Sequence, residues 1–307
     1  MPQPIQKPVR AILGLGMTAL LLLAACTSSN SSSPGEGGGQ RGTTPVGAVS
    51  TDARLAATVP PQLQTKKTLV VATDATYAPN EFIENGQITG MDVDLARAIL
   101  RVLGLEARVE NQTFESIIPG LMSGKYNLSM SSFTDTKARE RTVDFVTYFS
   151  AGTEFFVKAQ GGPTIETLDD LCGYRVALQK GTTQADDATA QDEKCGKAGR
   201  PAVTVDAYPD QNAANLALAS GRDDVGMADS PVAEYQVKHT NGQFKVVGKV
   251  YGTAPYGIAL PKGSGLAVPI RDALLVLIRN GTYASILAKW GLARGAIEQP
   301  RINDALR

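Results

Sequence analysis

The chain of 307 residues holds three cysteines and a single histidine, which limits the chemistry its side chains offer. Cys172 and Cys195 form an even pair and read as a disulfide in an oxidising compartment. Such a bridge stabilises a fold by about 3 kcal/mol on the chain-entropy estimate. A metal pair is the competing reading. His239 lies in a polar stretch without partner ligands, so no metal site and no other cofactor is expected. No cysteine or histidine arrangement suits nucleophilic catalysis, and an enzyme is not expected. The polar segments that remain suit binding. Gly181-Thr182-Thr183 has the composition of a strand-to-helix turn whose exposed N–H groups serve equally as a cap or an anion site. Asp229-Ser230 is capable of capping a helix. Lys137-Ala138-Arg139-Glu140-Arg141 is the kind of charged run that usually forms a solvated helix face.

The elements that must position these residues alternate between strand and helix patterns, which predicts an α/β fold with mainly parallel sheets. Strands are predicted at 68–73, 107–110, 126–130, 175–178, 203–205 and 224–227. Helices are predicted at 91–103, 117–122, 182–192, 212–219, 232–237, 268–278 and 283–290. Met91, Leu95, Ile99 and Leu103 share one helical face that Gly104 ends. Two stretches follow a common plan, IPGLMSGKYNLSMSS from Ile118 and LALASGRDDVGMADS from Leu216. In each, a helix ends in Ser-Gly-Lys or Ser-Gly-Arg, a short strand follows, and a polar loop closes the unit. Glycine suits the left-handed C-cap and the cation suits the last carbonyls. Any α-to-β turn can look this way, but a true repeat would give each lobe a polar loop at the C-terminal end of a strand, where open α/β sheets bind ligands.

The amino terminus sets the expected compartment. Lys7 and Arg10 precede an apolar run from Ala11 to Leu23, too short to span a bilayer comfortably and laid out as a secretory signal, expected over 1–25. The run ends in Leu23-Ala24-Ala25-Cys26, which resembles the lipobox of bacterial lipoproteins and implies a lipid anchor on Cys26. A Ser- and Gly-rich stretch follows, expected over 26–65 as a flexible tether reaching roughly 30–35 Å. Beyond it, ~240 residues suffice for two compact lobes. Lys and Arg together number 30, as do Asp and Glu, so net charge gives no reason to expect a nucleic-acid partner.

Several motifs occur in a specific order. They are Ala72-Thr73-Asp74-Ala75-Thr76-Tyr77-Ala78-Pro79, Gly90-Met91-Asp92-Val93-Asp94-Leu95, and Phe114-Glu115-Ser116-Ile117-Ile118-Pro119-Gly120-Leu121. Then come Met130-Ser131-Ser132-Phe133-Thr134-Asp135-Thr136-Lys137-Ala138-Arg139, Gly181-Thr182-Thr183-Gln184 and Ala228-Asp229-Ser230. Together they resemble the family 3 solute-binding proteins, the polar amino-acid receptors of ABC importers, from Lys66 to about Gly295. The resemblance implies a two-lobed, periplasmic-binding-protein-like class II fold, each lobe a mainly parallel sheet flanked by helices. Lobe 1 is expected over 66–153 and 254–307 and lobe 2 over 154–253. Two crossing segments, near 153–157 and 255–260, would form the hinge.

The implied ligand is a free amino acid, whose two charges are costly to leave unpaired in a closed cleft. The resemblance implies Arg139 for the carboxylate, helped by the Thr134 loop and the helix start at Thr182 and Thr183. It implies Asp229, Ser132 and Thr134 for the ammonium, and Tyr77 and Phe114 as aromatic faces around the side chain. Asp74, Asp92 and Phe133 fall at further positions matching the pocket. Where many relatives carry phenylalanine after the proline at Pro79, this chain has Asn80 and then Glu81, which is expected to change the polarity of the pocket mouth. Glu81 or Asp92 would favour a cationic side chain, although loop glutamates commonly point to solvent. A polar or basic amino acid is therefore expected, with an importer permease as partner, in a monomer held on the outer face of the cytoplasmic membrane. A dehydratase-type enzyme on the same scaffold and a ligand-sensing ectodomain are the alternatives.

Overall fold

A computed structural model describes residues 49–306. The expected signal peptide, Cys26 and the tether up to residue 48 lie outside the described residues. From residue 49 onward the tether expectation is corrected. Two short helices, α1 (Ala53–Ala56) and α2 (Pro61–Gln64), lead into the first strand, and Asp52 caps α1 by accepting from the N–H groups of Arg54 and Leu55. Val49, Val59 and Leu63 are buried in the lobe 1 core. These apolar side chains are what the Gly- and Ser-rich run lacks, and burial of even a few offsets the ordering of a short segment.

Lobe 1 is organised by β1 (Thr68–Thr73), whose apolar TLVVAT run pairs in parallel on both edges. Its partners are β5 (Glu106–Asn111) and β6 (Leu128–Ser129). A run buried on both faces reads as continuous rather than alternating, as parallel central strands do. Before β5, a small antiparallel sheet forms from β2 (Thr76–Tyr77), β3 (Glu81–Glu84) and β4 (Gln87–Thr89). Asn85 and Gly86, both at positive φ (50° and 76°), make the tight turn between the last two strands. Helix α3 (Met91–Val102) buries Met91, Leu95 and Ile99 on the face its spacing predicts. Helix α4 (Phe114–Met122) follows β5, and a single turn, α5 (Lys137–Glu140), follows the loop after β6.

Two long strands then tie the lobes together. β7 (Val143–Lys158) and β11 (Phe244–Pro261) run antiparallel through both lobes. They fuse all the principal strands into one eight-stranded sheet in the order β5-β1-β6-β11-β7-β10-β8-β9. The expected hinge segments begin at this crossing and continue past it into the two lobes. Residues 153–157 pair with 245–251 inside lobe 2, and 255–260 pair with 144–150 inside lobe 1. The register is irregular between Tyr251 and Ala254, the stretch that faces Ala151 and Thr153. Ala151 belongs to the lobe 1 core and Phe155 to that of lobe 2, which puts the crossover between them.

Lobe 2 contributes the parallel strands β8 (Arg175–Gln179), β9 (Thr204–Tyr208) and β10 (Val225–Asp229). Around them lie α6 (Thr183–Lys197), α7 (Gln211–Ser220) and α8 (Ser230–His239). Cys172 and Cys195 are joined by a disulfide with Cα atoms 5.7 Å apart, clamping α6 to the turn before β8. The chain returns to lobe 1 through α9 (Ala267–Arg279) and α10 (Thr282–Lys289), which pack on α3.

The two similar stretches prove to have the same cap. Gly124 and Gly221 both take left-handed φ (75° and 76°). The following N–H groups, of Lys125 and Arg222, reach back to the carbonyls of Gly120 and Ala217 at 2.9 and 3.0 Å. That is the 6→1 closure of a Schellman motif. Each cap launches a strand, β6 or β10, toward the space between the lobes.

Candidate functional site

The strand ends β1, β6, β8 and β10 converge on one interlobe cleft. Its wall consists of Asp74, Tyr77, Glu81, Phe114, Ser131, Ser132, Thr134 and Arg139 from lobe 1. Gln179, Thr182, Thr183, Gln184 and Asp229 come from lobe 2. Open α/β sheets present ligand groups in this way, because strand C-termini feed loops and helix starts at the same edge.

Asp74 follows β1 and is almost wholly buried. Its Oδ1 accepts from Thr76 Oγ1 at 2.6 Å, and its Oδ2 from the Phe114 N–H at 2.8 Å. Burial raises its pKa, and these donors oppose the rise. Tyr77 reaches across the cleft, where its hydroxyl accepts from the Asp229 N–H at 3.0 Å. Its ring packs in an apolar cluster with Phe156, Ala228 and Val232 of lobe 2. Phe114, the first residue of α4, stacks on Phe133 with ring centroids 4.2 Å apart. The Arg139 guanidinium lies over both rings, 5.6 and 5.1 Å from their centroids.

Arg139 is therefore not on a merely solvated helix face. Its Nη1 donates to the Thr134 carbonyl at 2.8 Å and its Nη2 to the Gly181 carbonyl of the other lobe at 3.0 Å. Gly181 holds φ +78°, the left-handed geometry that turns the chain from β8 into α6 while leaving that carbonyl toward Arg139. Thr182 caps α6 by accepting from the Ala185 N–H, so the helix start and its positive dipole end face the cleft together with Thr183.

Asp229 stands at the N-cap position of α8, yet its side chain makes no cap hydrogen bond. It turns into the cleft, where Oδ1 accepts from Gln184 Nε2 at 2.8 Å. The same amide donates to Thr153 Oγ1 at 2.9 Å, anchoring Gln184 to the long strand β7. Burial pushes the Asp229 carboxyl upward, against the pull of its hydrogen-bond donors and of Arg139.

Two expected site residues do not reach the cleft. Asp92 is fully buried behind it, in the first turn of α3, where its Oδ2 accepts from the Ser132 N–H at 2.9 Å and from the Tyr148 hydroxyl at 2.7 Å. Phe133 lies beneath Phe114 and supports that ring from inside the lobe. Asn80 is also buried; its Nδ2 donates to Ser132 Oγ at 2.9 Å, so it shapes the floor of the site and not its mouth. Glu81 is the converse case. It points inward with 1 % of its surface exposed, and it lines the cleft. In a short β-strand successive side chains take opposite faces, and the pairing of β3 with β2 turns the Glu81 face inward.

Ser131, Gln179 and Gln184 line the wall without any composition signal of their own. Gln184 sits in the Gly181-Thr182-Thr183-Gln184 motif, which marks its neighbourhood; Gln179 is simply the last residue of β8. Ser132 takes a left-handed φ of +51°, unusual for a residue with a side chain. This geometry lets its N–H face Asp92 while its hydroxyl stays among Asn80, Glu81 and Asp92. Among the described residues no group of three or more His, Cys, Asp or Glu side chains is disposed to hold a metal ion.

Three carboxyls and one guanidinium thus face a cleft flanked by two aromatic rings. Such a wall matches a ligand that carries one anionic group and more than one cationic group.

Residues 69–293 match the sequence model of the bacterial extracellular solute-binding proteins, family 3. The chain is 33 % identical over 252 residues to the arginine-binding protein ArgT of Corynebacterium glutamicum, an alignment covering 81 % of this chain and 83 % of that protein. Among solved structures, an ancestral arginine-binding protein bound to arginine superposes with a TM-score of 0.68 at 38 % identity, covering 73 % of this chain and 98 % of the other. An ancestral amino acid-binding protein described as a precursor of cyclohexadienyl dehydratase superposes with a TM-score of 0.65 at 34 % identity, covering 75 % and 97 %.

Proposed function

Because the chain belongs to family 3 of the bacterial extracellular solute-binding proteins, we propose that it captures a cationic amino acid, arginine foremost, between its lobes and delivers it to an ABC importer permease. One observation carries the choice of ligand: Asp74, Glu81 and Asp229 face the same cleft as Arg139. In this reading Arg139 and the start of α6 take the α-carboxylate, and Asp229 with Thr134 and Ser132 takes the α-ammonium. Tyr77 and Phe114 flank the aliphatic stem, and Asp74 and Glu81 receive the distal cation. The arginine-binding relatives support this choice over a neutral ligand.

Closure follows from the division of labour. Each lobe holds part of the zwitterion, so the ligand makes its full set of contacts only when the lobes meet, and binding favours that state by those extra contacts. The long strands β7 and β11 are the natural place for the bend, at the irregular pairing near Tyr251 and Ala254. The proposal also includes export, cleavage before Cys26, lipid anchoring there, and function as a monomer outside the cytoplasmic membrane. A loose tether keeps the effective concentration at the permease high.

The test is a thermal-shift screen of the common amino acids on the purified protein, followed by calorimetry. A ligand at a hundred times its dissociation constant stabilises by about 2.7 kcal/mol, so arginine should raise the melting temperature clearly while glutamine and citrulline raise it less. No shift with any amino acid would remove the proposal. Recovery of arginine unchanged after long incubation is expected; a chemically altered ligand would favour the dehydratase-type alternative.

A further inference from the structure

At the cleft floor, the carboxyl of Glu81 and that of Asp92 behind it are buried around one hydroxyl, with no cation beside them among the described residues. Glu81 is 1 % exposed and Asp92 is fully buried, and neither makes a salt bridge among the described residues. They share a hydroxyl: Ser132 Oγ lies 3.3 Å from Glu81 Oε2 and 3.4 Å from Asp92 Oδ2. Ser132 has a single hydroxyl proton and cannot donate to both, and two ionised carboxylates around one hydroxyl in a dry site repel strongly. The repulsion is relieved when one of the two carboxyls keeps its proton.

The surroundings decide where it resides. Asp92 Oδ2 receives the Tyr148 hydroxyl at 2.7 Å and the Ser132 N–H at 2.9 Å. Asp92 also stands in the first turn of a twelve-residue helix, where the dipole favours a negative charge. Glu81 receives only hydroxyl contacts, from Ser131 Oγ at 3.1 Å and from the shared Ser132 Oγ. These donors favour the charge on Asp92 and the proton on Glu81. The other ionisable groups facing the pair are Asp74, beyond β1, Tyr77 on β2 and Tyr148 on β7. None is cationic, and Arg139 across the cleft is held by the Thr134 and Gly181 carbonyls. Burial, then the neighbouring Asp92, raises Glu81 well above the usual carboxylate range, and burial lifts Asp92 to about 6.

We propose that Glu81 and Asp92 share one proton in the unliganded protein, that a cationic side chain arriving at Glu81 expels it, and that the pair thereby tunes the preference for a cation over its neutral isostere. The inference rests on the cationic-ligand reading above. In the exchange the O–H bond of the Glu81 carboxyl breaks, the proton leaves to bulk water, and the electron pair stays on the carboxylate that meets the guanidinium. A neutral amide or ureido group brings no charge to replace the proton and leaves it in place. Glu81 touches the ligand in this scheme, whereas Asp92 acts through Glu81 as a positioning residue. The pair makes cation binding proton-linked, and affinity for a cation falls as pH falls by up to about tenfold per unit.

Calorimetry of the full protein with arginine and with citrulline, between pH 6 and pH 8 and in two buffers of different ionisation enthalpy, tests this. Arginine is expected to release up to one proton and to bind more weakly at pH 6, while citrulline releases none. Glu81→Gln should abolish the release and flatten the arginine profile. Asp92→Asn should shift the fall in affinity to lower pH, because Glu81 loses its like-charged neighbour; a purely structural role would lower affinity equally at every pH. Infrared difference spectra of the unliganded protein at pH 7 should show a protonated-carboxyl stretching band in the wild type that Glu81→Gln lacks. Arginine bound without proton release and equally well at pH 6 and pH 8 would overturn the exchange and leave the ligand reading intact. Failure to bind arginine at all would overturn both, and the infrared band would still decide the shared proton.

Discussion

Gln179 Nε2 donates to Asp74 Oδ2 at 2.8 Å, joining the last residue of β8 in lobe 2 to the residue that follows β1 in lobe 1. The same carboxylate oxygen accepts from the Phe114 N–H, so one buried acidic group links the two lobes and the start of α4. Contacts of this kind, with Arg139 on the Gly181 carbonyl and Tyr77 on the Asp229 N–H, exist only when the lobes are together.

Removing the amide should therefore weaken closure more than folding. Gln179→Ala is expected to lower arginine affinity by about tenfold, the worth of one hydrogen bond to a charged group, with little change in the melting temperature of the unliganded protein. Calorimetry and a thermal melt on the same sample check both halves. An unchanged affinity would show that the contact does not favour the closed form.

Arg139 offers a sharper test. Its guanidinium bonds carbonyls of both lobes and is only partly buried, so the fold does not depend on it. Arg139→Ala should reduce binding at least about a hundredfold, and Arg139→Lys should restore little, because an ammonium cannot reproduce the planar fork. Retention of wild-type affinity in the lysine variant would remove the bidentate role.

The disulfide acts on stability alone. Replacing Cys172 and Cys195 with serine frees a buried link between α6 and the turn before β8, and the unfolded chain regains the entropy of that loop. A loss of about 3 kcal/mol in urea unfolding is expected. Ligand affinity should change little, since neither sulfur lies at the cleft.

Glu154 predicts a pH dependence. It sits on β7, is 7 % exposed, and its Oε2 has no hydrogen-bond partner among the described residues. Burial, then the charge of Glu234, raises its pKa to about 7. The folded protein thus holds this proton more tightly than the unfolded chain does. The contribution is fully present below the ordinary glutamate pKa and is lost as pH rises toward 7. Stability should fall over that window, and Glu154→Gln should remove the fall and stabilise the protein at pH 8 by about 1 kcal/mol, measured by urea unfolding at several pH values.

Much of the candidate site was legible through the family resemblance carried by the order of the motifs. Asp74, Tyr77, Phe114, Ser132, Thr134, Arg139, Thr182, Thr183 and Asp229 all line the cleft, most of them at the end of a strand or the start of a helix. The exceptions share a cause. Asp92 and Glu81 are both acidic residues near the pocket in sequence, and which one faces the ligand depends on how β3 pairs with β2 and where α3 packs. A one-residue change of register would exchange inside for outside. Ser131, Gln179 and Gln184 are ordinary polar residues that acquire a role only through what stands opposite them.

The sequence by itself determined the alternation of strands and helices, the glycine C-caps at Gly124 and Gly221, the buried face of α3 and the pairing of the two cysteines. These depend on local periodicity, on left-handed φ and on the small number of sulfurs. Only the tertiary structure decided that β7 and β11 run unbroken through both lobes as one eight-stranded sheet, that residues 49–65 pack as part of lobe 1, and that Glu81 turns inward to share the Ser132 hydroxyl with Asp92. Strand pairing and burial are non-local: the energy of each contact is set by a partner far away in the chain, and the residue alone carries no record of which partner that will be.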